Sequence, residues 1–153
     1  MNYSEEKKAK KLGEVLAFAG VGIDTLEKGK EGFLKSWDET KINKLIEINK
    51  SHQKKLESVI ESLETREIGM KKADATSEKL SKMRDMYIGD EWDDNIELFE
   101  WSGFFEGAAI VHWSLIKGAA EGNEELKSLV EEADKYHRDL FEEVNESIIK
   151  AVN

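Results

Sequence analysis

The sequence predicts an all-α fold: four long helices running up and down, with a long crossover between the second and third that carries a short extra helix. Three observations lead there. Proline is absent from all 153 residues, and 37% of the chain is charged, chiefly Glu and Lys. Those residues favour helix, and nothing breaks it from within. Apolar residues recur at helical spacing, with no alternating run to support a sheet. Capping and glycine signals divide the chain into helix-sized lengths.

The elements follow in order. Ser4 with Glu5 and Glu6 suits a helix N-terminus, where acids oppose the positive end of the helix dipole. The first helix carries Leu12, Val15, Leu16, Ala19, Ile23 and Leu26, and fades in the glycine-bounded segment 29–32. Ser36 and Glu39 form a capping-box pair that opens the second helix, which is expected to run to about Arg66. A connector from Glu67 to Asp90 follows, with a short amphipathic helix near Thr76 to Ile88 that stops at Gly89. Asp90 caps the third helix and Gly122 ends it. Asn123, with Glu124 and Glu125, starts the fourth. Gly13, Ala17 and Gly20 on the first helix, and Gly103, Gly107 and Gly118 on the third, suggest that these two helices meet along glycine seams.

The third helix is the most unusual segment. From Trp92 to Ala120 it holds three of the four tryptophans and is apolar on two sides. A helix apolar nearly all round must be enclosed on more than one side, so this one is expected at the centre of the domain or in an oligomer contact. Its second face, with Leu98, Trp101, Phe105, His112 and Trp113, is the expected interface of a homodimer.

Composition narrows the rest. A single domain of this length buries a real core. Without cysteine there are no disulfides, thiolate metal sites or cysteine nucleophiles. No secretory leader is apparent at the start, and the longest uncharged stretch of the third helix falls short of a membrane span, which points to a cytoplasmic protein. A net charge of −10 argues against nucleic acid as a partner. The basic run Lys7 to Lys11 reads as a solvated face. No phosphate-binding loop or nucleophile–base pair is identifiable.

One constellation interrupts the apolar seams. Asn49 and His52 sit on the seam of the second helix, and His137 on that of the fourth, each near mid-helix. Glu100 of the third helix and Asp134, three residues before His137, would complete a set of His52, His137, Glu100 and Asp134. Imidazole with carboxylate suits zinc or iron, and bundle cores hold such sites. The other reading is a hydrogen-bonded polar layer that fixes helix register. The helix order resembles the ferritin-like bundles, including small archaeal bundles that share that fold without its iron chemistry. Di-iron members carry Glu-x-x-His on two helices; the nearest match in this chain is Asp134-Lys-Tyr-His137, once. The expected function is thus a self-associating interaction or structural bundle, with a metal-binding enzyme or sensor as the alternative. A carrier of hydrophobic ligands, with a pocket at Trp101, Phe104 and Phe105, is a third.

Overall fold

The computed structural model describes residues 3–153, and among them the protein is all-helical. The elements are α1 (Glu5–Lys28), the single turn α2 (Lys30–Phe33), α3 (Glu39–Glu61), α4 (Arg66–Ile88), α5 (Asn95–Leu115), a 3-10 turn (Lys117–Ala120) and α6 (Glu124–Val152). Five of these are long. The second, third and fourth helices expected from the sequence are α3, α5 and α6.

Several ends lie where the sequence marks them. The Ser4 hydroxyl accepts from the Lys7 amide, and the Asn123 side chain from the Leu126 amide. Gly89 and Gly122 turn the chain at positive φ, 61° and 82°, a conformation that suits glycine alone, although Gly122 does not end the third helix as expected: α5 stops at Leu115 and the 3-10 turn follows it. Other boundaries differ. Asp38, not Ser36, caps α3 by accepting from the Lys41 amide, because Ser36 instead accepts a hydrogen bond from Asn95. Asp94, not Asp90, caps α5, accepting from the amides of Ile96 and Glu97.

The crossover needs the largest correction. It is no short helix in a connector but a 23-residue helix, α4, entered through a turn at residues 62–65. No glycine or proline marks that turn. It closes because side chains take up the loose carbonyls: Ser62 Oγ donates to the Val59 carbonyl and Arg66 Nη1 to that of Leu63.

Contacts at named residues give the directions. Gly13 lies beside Gly69 and Asp24 beside Arg84, so α1 and α4 run parallel. Glu14 meets His112, and the Tyr3 hydroxyl donates to the Leu115 carbonyl, so α5 is antiparallel to α1. Gly103 lies near Val144, and Glu106 near His137, making α6 antiparallel to α5. Trp37 bonds Ser147, and His52 approaches Glu132, so α3 is antiparallel to α6.

The glycine seams lie elsewhere than expected. A Cβ on Gly13 would stand 2.3 Å from the Gly69 carbonyl oxygen of α4. Gly103 and Gly107 face Val144 and Phe141 of α6, not α1. The enclosed helix is also a different one. Every residue of α1 from Leu12 to Ala19 is buried, between α4, α3 and α5, whereas α5 keeps one side open. Arg84, only 4% exposed, pins the far end of α4 to α1 through Asp24 and Thr25, with its guanidinium over the Trp92 ring. No helix is long and apolar enough to cross a membrane among the described residues.

Gly13→Ala should therefore be costly, because the obstructing atom is backbone and the helices must separate. We expect a loss of about 2–3 kcal/mol and a melting temperature lower by about 5–10 °C. Gly107→Ala meets only ordinary contact, Phe141 Cε1 at 3.6 Å, and should melt with the wild type or slightly above it. Parallel thermal melts of the two variants check this; a Gly13→Ala protein that melts with the wild type refutes the close approach.

Candidate functional site

Two carboxylate–imidazole pairs flank α5, one sealed in the core and one at the surface. In the core, α3 contributes Asn49 and His52, α5 contributes Glu106, and α6 contributes Tyr136 and His137. His137 Nδ1 lies 2.5 Å from Glu106 Oε1, with both side chains more than nine-tenths buried. The His52 ring lies 6.2 Å from that of His137 and packs edge-on against Trp113 and Tyr136. Asn49 Nδ2 donates to the Leu45 carbonyl and to the Tyr136 hydroxyl, both at 2.9 Å. A cavity of about 30 Å³ adjoins this group, with Asn49, Trp101, Glu106 and Tyr136 in its walls.

Burial sets the electrostatics of the layer. His52 Nε2 is buried without a hydrogen-bond partner, its nearest carboxylate oxygen being that of Glu132 at 3.6 Å. Desolvation, and then the nearby His137, lower the His52 pKa to about 4, against a weaker pull upward from Glu132. His52 is therefore neutral near pH 7. Burial, followed by the charge of Glu106, pushes the Tyr136 hydroxyl well above the usual phenol range, with the Asn49 hydrogen bond opposing. The layer thus sets a neutral imidazole, a phenol and a carboxylate–imidazole pair together, away from solvent.

The structure brings His52 and His137 together, as the seams imply, but not the rest of the expected metal set. Glu100 is exposed, and Glu106 occupies the layer in its place. Phe99, Glu106 and Trp113, seven residues apart, form one buried edge of α5, and Glu100 lies about 100–120° round the helix from Phe99 and Glu106, on the exposed side. That heptad spacing was a usable signal for Glu106. Asp134 is half-buried and turned to Arg138, at 3.0 Å, and to Lys117, at 4.0 Å. Among the described residues no three His, Asp or Glu side chains form a group able to hold a metal ion. The residues present do not fit a zinc or iron centre.

The second pair is at the surface. Glu14 of α1, 7% exposed, approaches His112 Nδ1 at 2.8 Å through Oε2 and Lys11 Nζ at 3.1 Å through Oε1. Burial alone would raise the Glu14 carboxyl; His112 and Lys11 outweigh it and hold the group below its ordinary value. His112 also packs on Phe18, ring to ring at 5.0 Å, and remains partly open to solvent. Glu14 escaped the sequence reading, although it is the one charge between Leu12 and Ile23. A lone charge inside so apolar a helical run calls for a buried partner.

The expected interface residues are also placed differently. Leu98, Trp101, Phe105 and Trp113 are each at most 5% exposed and packed within the chain's own core. His112 serves Glu14. The aromatic surface of α5 is hidden from several sides: Trp113 packs on His52 of α3 and His137 of α6, Phe105 on Phe18 of α1, and Trp101 on Tyr87 of α4.

Two measurements test the layer. His52 is harder to protonate folded than unfolded, so the unfolded chain binds more protons between pH 6.5 and about 4. Stability from this residue is therefore complete above pH 6.5 and falls as pH drops toward 4, by at most about 3 kcal/mol. Denaturation at pH 7 and pH 4.5 should show a smaller difference for His52→Leu than for the wild type; an equal difference excludes His52 as the source. In urea titrations Glu106→Leu should cost on the order of 3 kcal/mol, by leaving His137 buried without its carboxylate. Adding His137→Leu should cost far less than the sum of the two single changes; strict additivity would show that the two groups are uncoupled. No protein-family model matches the chain, and no curated protein or solved structure does so either.

Proposed function

We propose that this chain is a self-associating helical bundle of interaction or structural type, with a second copy of itself as partner and α5 as the contact. The observation that carries the reading is an outward stripe on α5. Phe104, Val111 and Leu115 are 47%, 57% and 38% exposed, and with Ala108 they stand at i, i+4, i+7 and i+11 on one side of the helix. The face differs from the one expected from the tryptophans, but the reason for a partner is the same: α5 remains apolar where its own chain does not cover it.

Charge favours a two-fold, antiparallel pairing of the α5 helices. The N-terminal end of α5 is acidic, with Glu91, Asp93, Glu97 and Glu100 close in sequence. Slight desolvation and then repulsion from Glu100, Glu91 and Asp94 raise the pKa of Glu97. The C-terminal end adjoins the start of α1, as the Tyr3–Leu115 hydrogen bond requires, where Lys7, Lys10 and Lys11 cluster. An antiparallel pair sets each acidic end over a basic one, and a two-fold axis repeats that match twice.

On this reading the histidine layer fixes which residues of α3, α5 and α6 face one another, rather than binding metal. The helix directions support a ferritin-like topology, with α1 and α3 as one antiparallel pair, α5 and α6 as the other, and α4 as the crossover. The lack of cysteine suits an intracellular setting.

Sedimentation equilibrium at micromolar concentration should give a dimer that weakens as salt rises. Val111→Glu should shift it to monomer with an unchanged melting temperature, since exposed substitutions cost little. A wild-type protein that stays monomeric throughout the micromolar range would remove the proposal.

A further inference from the structure

A cleft of about 420 Å³ opens between α1, α4 and α5, beside the Glu14–His112 pair. That volume lies in the range of small-molecule sites, roughly 300–1,000 Å³. Its floor is apolar: Phe18 from α1, Leu80 and Met83 from α4, and Phe104 with Ala108 from α5. Lys72 and Lys79 stand at its edge, and neither has an acidic partner among the described residues. Lys11, the third lysine, is engaged by Glu14.

The cleft continues past Lys11, Glu14 and Lys72 into a second hollow of about 370 Å³ near the start of α1, where Lys7 and Lys10 join. Together the two hollows are lined by five lysines (7, 10, 11, 72 and 79) against two glutamates (6 and 14). This is a local excess of positive charge on a chain of net charge −10. The basic end and the apolar floor adjoin. Glu14 does not spoil the site for an anion, because Lys11 and His112 already engage it from the protein side.

We infer that this cleft binds an amphipathic anion, specifically a single-chain alkyl carboxylate, with its head among the unpaired lysines and its tail along Phe18, Leu80, Met83 and Phe104. An acyl chain buries against the floor by the ordinary hydrophobic effect, and the head gains charge-assisted hydrogen bonds from lysine. A neutral lipid would leave the lysines unanswered, and a compact polyanion would leave the floor exposed. All the lining residues come from one chain, so the site does not depend on the dimer proposed above.

Isothermal titration with sodium laurate, kept below its micelle concentration, tests this on the full chain. The expected result is saturable binding of one laurate per chain. Dodecyltrimethylammonium, with the same tail and the opposite charge, should bind at least tenfold more weakly. Lys72→Gln with Lys79→Gln should raise the laurate Kd at least tenfold without moving the melting temperature, both side chains being peripheral. Val111→Glu should bind laurate like the wild type even if it is monomeric, which separates this site from the self-association face. Phosphatidylglycerol vesicles form a control arm: binding to them without binding to free laurate would assign the lysines to a membrane surface and overturn the proposal. Absence of saturable laurate binding, equal binding of the cationic surfactant, or an unchanged Kd in the double lysine variant would overturn it as well.

Discussion

The backbone contact between Gly13 and Gly69 is the constraint on which the rest of the molecule depends. Helix axes normally stand 8–10 Å apart because side chains fill the gap between them. Here a Cβ on Gly13 would meet a carbonyl oxygen at 2.3 Å, so α4 comes as near to α1 as glycine permits. The near approach allows α4 to lie along α1 instead of looping past it, with Arg84 fastening the other end to Asp24. Every residue of α1 from Leu12 to Ala19 is then buried. Any polar group within that stretch must find its partner inside the protein. Glu14 is the only charged one, and its pairing with Lys11 and His112 follows from its enclosure.

The polar side chains of α5 divide by the same logic. Glu106 and His112 lie six residues apart, well separated around the helix, and each completes a carboxylate–imidazole pair with a different neighbour: Glu106 with α6 and His112 with α1. A buried carboxylate–imidazole pair contributes little net stability, because desolvation offsets most of its attraction. It does penalise misalignment, since sliding α6 by one turn would strand both Glu106 and His137. Apolar packing alone would set register weakly here, because α5 has apolar residues on nearly every side. Two pairs at different angles and depths fix both its rotation and its height.

How much of this was legible in the sequence depended on whether the signal was local. Ser4, Gly89 and Asn123 act on atoms within a few residues, and each does what its type implies. His52 and His137 were found because a polar residue on an otherwise apolar seam is visible without knowing the fold. The turn at 62–65 was not visible, because it is held by side-chain bonds from residues that also suit a helix. Without that turn α4 reads as a short helix in a connector, and the cover it gives Trp101 through Tyr87 is not apparent. Phe105 and Trp113 find their cover on α1, α3 and α6, through contacts between residues far apart in sequence. Glu106, rather than the expected Glu100, supplies the carboxylate of the layer. On a helix apolar on two sides the inward direction is ambiguous, and the seven-residue spacing of Phe99, Glu106 and Trp113 is the signal that favours Glu106.

The same geometry explains why α5 can serve two surfaces without conflict. Taking 100° per residue around a helix, Phe104, Val111 and Leu115 cluster about one outward direction. His112, at the back of the cleft, lies about 80° from Phe104 toward α1, and Ala108 lies between them. The small side chain of Ala108 leaves the cleft open at its shoulder, where a larger residue would join the stripe and close it. A helix packed on Val111 and Leu115 would therefore run beside the cleft and not through it. Phe104 and Ala108 belong to both surfaces, and Phe104 stands 5.4 Å ring to ring from Tyr87 of α4. Phe104 is the point at which an occupant of the cleft would come nearest to a helix covering the stripe.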